Sequence, residues 1–386
     1  MICKYITIKV INNGPILPSG IYLCDDKHKM AQADKKDLQN LIDKGINEKL
    51  PFVFYRLPYK EEIHCIAQSS KENNIAEKLP GFMFSPFIAG DSAPSYFIKA
   101  DSYLTGKLDE FIGLGLKIKD VSGKQSSVYA TKEEFIEQVE TAVKEIKSGK
   151  LNKVILSRVQ KIDVKIGPLE IFIELCKKYK TAFVSLVVIP GKTVWITASP
   201  ELLVSMEGAD MKTVALAGTK SANSNTLWSD KEKEEQKIVA DYISSVLDKY
   251  CTEIKVSGPT DAIAGNVMHL KTEFSAKRNT SLKVLVDELH PTPAVCGMPK
   301  KEAIGFINNT EMHKRKYYTG YLGPYNIDGK AELFVNLRCA EVFNDSVDIY
   351  IGGGITSESI AEKEWDETVM KSQTLLSVML PKAKVV

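Results

Sequence analysis

Val347-Asp348-Ile349-Tyr350-Ile351-Gly352-Gly353-Gly354-Ile355-Thr356 is a β-branched run closed by three consecutive glycines, and its reading decides how the rest of the chain is understood. The run predicts a strand, and the glycines predict a turn at its end where backbone must come close to something. From about Ala361, the apolar residues Trp365, Val369, Met370, Leu375 and Leu376 recur at helical spacing, so a helix packed through them is expected. On that helix Glu364, Glu367 and Lys371 stand at steps of three and four and share a face. Glu–Lys pairs at this spacing ordinarily make a solvated face of little energetic weight. Beside a glycine turn they suit another use. Paired carboxylates hold a hard cation such as Mg2+, free backbone N–H groups hold an anion, and a lysine one turn on holds a carboxylate.

Composition excludes several classes. The chain has 386 residues, is 26% charged and 44% hydrophobic, and carries a formal net charge of +2, which points to neither nucleic acid nor a membrane surface as partner. Apolar runs such as Val184 to Pro190 are too short to span a bilayer, and Met1 to Tyr22 lacks the pattern of a secretory leader, so a cytoplasmic protein is expected. The seven cysteines are scattered and contain no Cys-x-x-Cys, which argues for reduced, buried thiols over disulfides or a zinc site. With no linker or low-complexity tract, one domain over residues 1–386 is expected: a variable N-terminal part to about 125, then a core from 126.

In the N-terminal part, Phe52 to Arg56 and Ile63 to Ala67 flank Pro58-Tyr59-Lys60-Glu61 as a hairpin, and Gly81 to Phe87 reads as a short strand ending at Pro86. His28 and His64 stand apart from other ligand types and are read as ordinary residues. The character changes at Thr131, which caps a helix with Glu134 and is followed by the stripe Phe135, Ile136, Val139, Ala142, Val143 and Ile146. Leu151 to Arg158 is then β-rich. Its Lys153 is either an edge-strand lysine that discourages aggregation or a lysine set among Val and Ile, whose desolvation favours a neutral amine usable as a general base.

Further on, Ala182 to Ile189 and Val194 to Ala198 read as strands, the second running into Ser199-Pro200-Glu201 with Glu201 at its rim. Val214 to Thr219 is expected to be a strand ending in the small-residue turn Gly218-Thr219, and Asp230 to Tyr250 a long helix with Glu232 and Glu235 near its start. Asn266 to Thr272 reads as a strand. Two helical patterns enclose His290-Pro291-Thr292-Pro293-Ala294-Val295-Cys296-Gly297-Met298-Pro299, an unusual loop of small residues around one histidine. Tyr317 to Gly323 reads as a turn. Leu333 to Ala340 reads as one apolar strand whose Arg338 needs a carboxylate partner, a role a bound substrate could fill bidentately. A dinucleotide site at Gly352 to Gly354 is excluded, since the glycines lack the required spacing and a downstream acidic partner.

In order and spacing, Lys153 to Arg158, Ser199-Pro200-Glu201, Ala215 to Thr219, Glu232 to Val239, His290 to Pro299, Arg338-Cys339-Ala340 and Gly352 to Lys371 resemble the chorismate-utilising enzymes of menaquinone, siderophore and tryptophan biosynthesis, the isochorismate synthases in particular. The resemblance implies an α+β fold like that of anthranilate synthase component I, with two large antiparallel β-sheets packed face to face and helices outside. It also implies roles. Mg2+ would sit on Glu235 and Glu367 with Glu364 in support, and Lys153 would activate the water that attacks C2 of chorismate. Glu201 would protonate the departing C4 hydroxyl. Gly218, Thr219, His290, Arg338, Gly353, Gly354 and Lys371 would hold the substrate, and the Arg315 to Tyr318 region would form a pocket wall. A monomer is expected, because the family builds its site within one chain.

Within that resemblance, Lys153 stands where anthranilate synthases have glutamine, and Ala217 where aminodeoxychorismate synthases have a nucleophilic lysine. Both features favour water as nucleophile. Salicylate synthase, which goes on to release pyruvate, is the enzymatic alternative, and a silent chorismate-binding paralogue is the non-enzymatic one. Two departures from the family pattern stand beside the site: Gln236 where histidine is usual, and Ala215 where proline is common.

Overall fold

The computed structural model describes residues 7–9, 34–73, 79–90, 93–116, 127–265 and 267–380; His28, Cys3 and Cys24 lie outside them. Two antiparallel sheets form the body. From edge to edge the first runs Thr7–Lys9, Ser102–Lys107, Glu62–Ala67, Phe52–Arg56, Phe183–Ile189, Thr193–Ser199, Cys339–Val342, Ser346–Ile355, Lys153–Asp163 and Gly297–Met298. The second runs Cys251–Ala264, Val267–Arg278, Asp210–Ser221, Leu202–Glu207, Lys330–Val335, Tyr321–Tyr325, Gly81–Ser85 and Tyr96–Lys99. Strands from before residue 108 thus complete both sheets.

Phe183–Ile189 shows why so many strands lack a polar face. Val184, Leu186 and Val188 point outward to Ile171, Phe172 and Leu175 of the helix Pro168–Lys178. Phe183, Val187 and Ile189 point into the layer between the sheets, where Phe183 stacks on Phe334 of the opposite sheet at 4.2 Å. A strand covered on both faces reads as a continuous apolar run. The helices Asp230–Tyr250 and Leu282–Leu289 cover the outer face of the second sheet. Lys132–Lys147, Lys300–Thr310 and the start of Ala361–Met379 close the end of the first near Lys153–Asp163.

Several local expectations hold, among them the hairpin at Pro58 to Glu61 and the Thr131–Glu134 capping box. His64 is a packed residue, stacked on Tyr55 and hydrogen-bonded to Tyr103 at 2.6 Å. Cys65, Cys176, Cys251, Cys296 and Cys339 are buried free thiols. Among the described residues no helix is long and apolar enough to cross a membrane.

Other expectations are corrected. Leu333 to Ala340 is two strands in different sheets, Lys330–Val335 and Cys339–Val342, with Arg338 in the crossing at a φ of 50°. Both halves are buried, so hydrophobicity does not mark where the chain changes sheet. Val214 to Thr219 does not end in a turn, because the strand continues to Ser221 past a register shift between Ala217 and Lys220, with Gly218 at a φ of 71°. Tyr317 to Gly323 is a turn only as far as Gly320, after which Tyr321–Tyr325 is a strand. Val369 is 40% exposed, and the helix Ala361–Met379 packs through Ala361, Glu364, Thr368, Ser372, Leu375 and Met379. Its inward face is polar because it borders a site.

The inter-sheet layer makes a direct prediction. Phe183→Ala removes the ring stacked on Phe334 and should lower the unfolding free energy by about 3–5 kcal/mol. Urea titration reads this, and a loss below about 1 kcal/mol would mean the sheets are not held through these rings.

Candidate active site

Gly352, Gly353 and Gly354 make no turn. They continue the strand Ser346–Ile355, paired with Ser157, Leu156 and Ile155. The neighbouring strand Cys339–Val342 ends its pairing at Tyr350, so the glycines run on with that side open. The absent side chains are the point. A Cβ on Gly354 would collide with Glu235 Oε1 and lie 3.2 Å from Lys153 Cε, and one on Gly353 would lie 3.3 Å from Glu367 Oε1 and 3.6 Å from Glu364 Oε2. Three carboxylates from two helices therefore converge on one stretch of bare backbone.

Each carboxylate has its own lysine. Lys153, fully buried and so no edge-strand gatekeeper, places Nζ 3.0 Å from Glu235 Oε1, a contact not aligned as a hydrogen bond. Lys371 pairs with Glu367 at 2.5 Å and donates to the Gly352 carbonyl at 3.1 Å. Lys231 pairs with Glu364 at 2.6 Å. Burial pushes the Glu364 carboxyl up, the Glu367 charge pushes it further, and Lys231 pulls it back. Among the described residues no three His, Cys, Asp or Glu groups stand in position to hold a metal ion together. Carboxylate oxygens over side-chain-free backbone are the kind of donor a hard divalent cation takes, so the chemistry of the set suits one, although the three groups are not drawn to a common point.

Beside this cluster lies a cavity of about 750 Å3, open mouth included, lined among others by Glu201, Gly218, Thr219, His269, Arg338 and Lys371. Gly353, Gly354 and Glu235 also line it, and Tyr318 forms part of its wall. Glu201 follows Thr193–Ser199 and is buried. That burial pushes its carboxyl up to about 8, against the opposing charges of Lys153, Arg338 and Lys371, so it is mostly protonated at neutral pH.

His269 was not anticipated as a site residue. It sits mid-strand in Val267–Arg278, with Nδ1 2.8 Å from the Gly218 carbonyl and Nε2 3.4 Å from Arg338 Nη2. A carbonyl only accepts, so Nδ1 carries the proton and Nε2 accepts from Arg338. Burial, then the charges of Arg338 and Lys371, push the ring down to about 3, which keeps it neutral. Only the pairing of Val267–Arg278 with Asp210–Ser221 brings it to the cavity, and no sequence spacing encodes that.

His290, expected to hold substrate, does not line the cavity. Its Nε2 donates to the Phe87 carbonyl at 3.0 Å, its ring meets Tyr321 edge-on at 4.9 Å, and burial pushes it down to about 4. It ties the loop to the N-terminal strands. Arg315 likewise lies behind the wall: it donates to the Ile155 and Val295 carbonyls at 2.8 Å each and to Glu311 at 2.6 and 2.8 Å. Glu311 in turn accepts from Ser157 N at 2.8 Å. This buried pair locks the strand of Lys153 to the loop that lines the cavity.

A neutral acid and two cations, Arg338 and Lys371, line one open-mouthed cavity, with a buried lysine behind its Gly354 wall, an arrangement whose chemistry suits a small anionic molecule. The chain belongs to the chorismate binding enzyme family, whose model matches residues 117–380. It is 32% identical over 197 residues to the vibriobactin-specific isochorismate synthase of Vibrio cholerae, covering 47% of this chain and 50% of that protein. It is 29% identical over 259 residues to the isochorismate synthase EntC of Escherichia coli (strain K12), covering 63% of this chain and 66% of that protein. The matches thus span half to two thirds of these relatives' length. Its fold is that of MenF, the menaquinone-specific isochorismate synthase of Escherichia coli, with a TM-score of 0.73 at 20% identity over 98% of this chain and 95% of that one.

Glu201 carries the prediction here. Its folded carboxyl titrates near 8 against an ordinary 4.5, so ionisation favours the unfolded chain as pH rises between those values. Glu201→Gln does not titrate. Its unfolding free energy should therefore gain on the parent by on the order of 3 kcal/mol between pH 4.5 and 8. A difference that stays constant across that range would show that Glu201 is ionised.

Proposed function

We propose that this protein is an isochorismate synthase, which converts chorismate to isochorismate by adding water at C2 and losing the C4 hydroxyl as water. The observation that carries the reading is a pair of unlike groups about one cavity: Glu201 in its wall, whose burial keeps a proton on it at neutral pH, and Lys153, which does not line the cavity but lies buried behind Gly354, which does. Lys153 takes a proton from the attacking water. Glu201 gives one to the departing hydroxyl, so protons balance and the net change is an isomerisation. Each transfer supplies roughly 10²- to 10⁴-fold. Arg338, held by the neutral His269, and Lys371 offer the positive charge that two substrate carboxylates need, with Thr219 and the open-sided backbone at Gly353 and Gly354 beside them.

Mg2+ on Glu235 and Glu367, with Glu364 in support, would supply a fixed positive charge opposite the ring carboxylate. The names of the relatives support the reaction.

Purified protein incubated with chorismate and Mg2+ should yield isochorismate without pyruvate. Lys153→Ala should lower that turnover at least about 100-fold. Because Glu201 acts as an acid, the rate should fall as pH rises through about 8. Salicylate with pyruvate would assign the protein to salicylate synthesis, and no product would leave a chorismate-binding protein without turnover.

A further inference from the structure

Of the three lysines that neutralise the carboxylate cluster, two have work in the proposed reaction. Lys231 has none. It is not among the residues lining the cavity, yet its ammonium lies 2.6 Å from Glu364 Oε1, on the first turn of the helix Asp230–Tyr250 and one turn before Glu235. Glu364 and Glu367 lie together against Gly353 and Glu235 against the adjacent Gly354, so the ammonium on Glu364 stands beside all three proposed cation ligands. It is also the lysine with a way out: its side chain is 24% exposed, against 12% for Lys371 and 0% for Lys153.

We propose that Lys231 is a resident counter-cation that occupies Glu364 until a divalent cation arrives, and that its displacement lowers the affinity of the site for that cation. The inference rests on the reading of Glu235, Glu364 and Glu367 as cation ligands. A buried carboxylate left without a positive charge is costly, so the cluster needs a cation in every state. Lys231 supplies one when the ion is away. When the ion binds, the ammonium swings toward solvent, and the Lys231–Glu364 attraction is lost from the binding free energy. The protein then holds the ion less tightly than its ligands alone would allow, which favours release between turnovers.

Titration of the full chain with Mn2+, followed by the spectroscopic signal of the free ion and by competition with Mg2+, tests this without any turnover assay. Lys231→Met should bind Mn2+ about tenfold more tightly than the parent, which corresponds to about 1.4 kcal/mol. Lys231→Arg, which keeps the charge, should not. Mn2+ should also raise the melting temperature of Lys231→Met by more than it raises the parent's; should the Met variant fold poorly, Lys231→Gln serves in its place. Equal or weaker Mn2+ binding by the charge-free variant, with binding still abolished in Glu367→Ala, would overturn the role of Lys231 and leave the cation site standing. Tightening by Lys231→Arg as large as by Lys231→Met would equally overturn it. Failure of the parent and every variant to bind Mn2+, with or without chorismate, would remove the cation reading and this inference with it.

Discussion

Like charges crowded out of water are the constraint on which this structure turns. Glu235, Glu364 and Glu367 meet at Gly353 and Gly354, and Glu364 is only 2% exposed. Unpaired, such a group would cost several kcal/mol. Lys231 and Lys371 offset Glu364 and Glu367, and Lys153 Nζ lies 3.0 Å from Glu235. The helix that carries Glu364, Glu367 and Lys371 is fastened to the sheet by Arg158, which donates to Thr368 at 2.8 Å and lies over the Trp365 ring at 4.1 Å. The strand that carries Lys153 is fastened through Glu311 and Arg315.

Across the cavity the same physics is used in the opposite sense. Among the described residues Glu201 has no ion-pair partner set against it, and burial holds it neutral despite nearby positive charge. His269 is held neutral by burial and by the Arg338 and Lys371 charges, and so presents a lone pair to Arg338 instead of a competing charge. The cavity therefore contrasts a charged rim with an uncharged acid. That contrast separates a group that can give a proton from groups that can only attract an anion.

Much of this was legible in the sequence, and the exceptions share a cause. Lys153 and Arg338 stand out by themselves, as charges inside apolar runs, whereas Glu201, Glu235, Glu364, Glu367 and Lys371 each have an ordinary surface reading and are singled out only because their order along the chain resembles one family. The glycines read as a turn because a strand interior rarely tolerates three of them; the side chains arriving from distant helices explain why it does here. Val369 reads as core in the sequence for a related reason, since the helix turns its polar side inward. His269 and the sheet change at Arg338 depend on strand pairing across long sequence separations, which local periodicity does not carry. His290 stood out by composition, yet its loop is built around a structural tie.

The most direct measurement is made on Gly354→Ala. Gly354 has no positive φ and alanine is no worse than glycine in a strand interior, so the account predicts a variant that still folds while its new methyl group displaces Glu235 from beside Lys153. Turnover of chorismate should fall at least about 100-fold, and the Mg2+ dependence should weaken with it. A folded Gly354→Ala protein with the parent's rate and the parent's Mg2+ titration would contradict the claim that bare backbone at this position is what lets the site assemble.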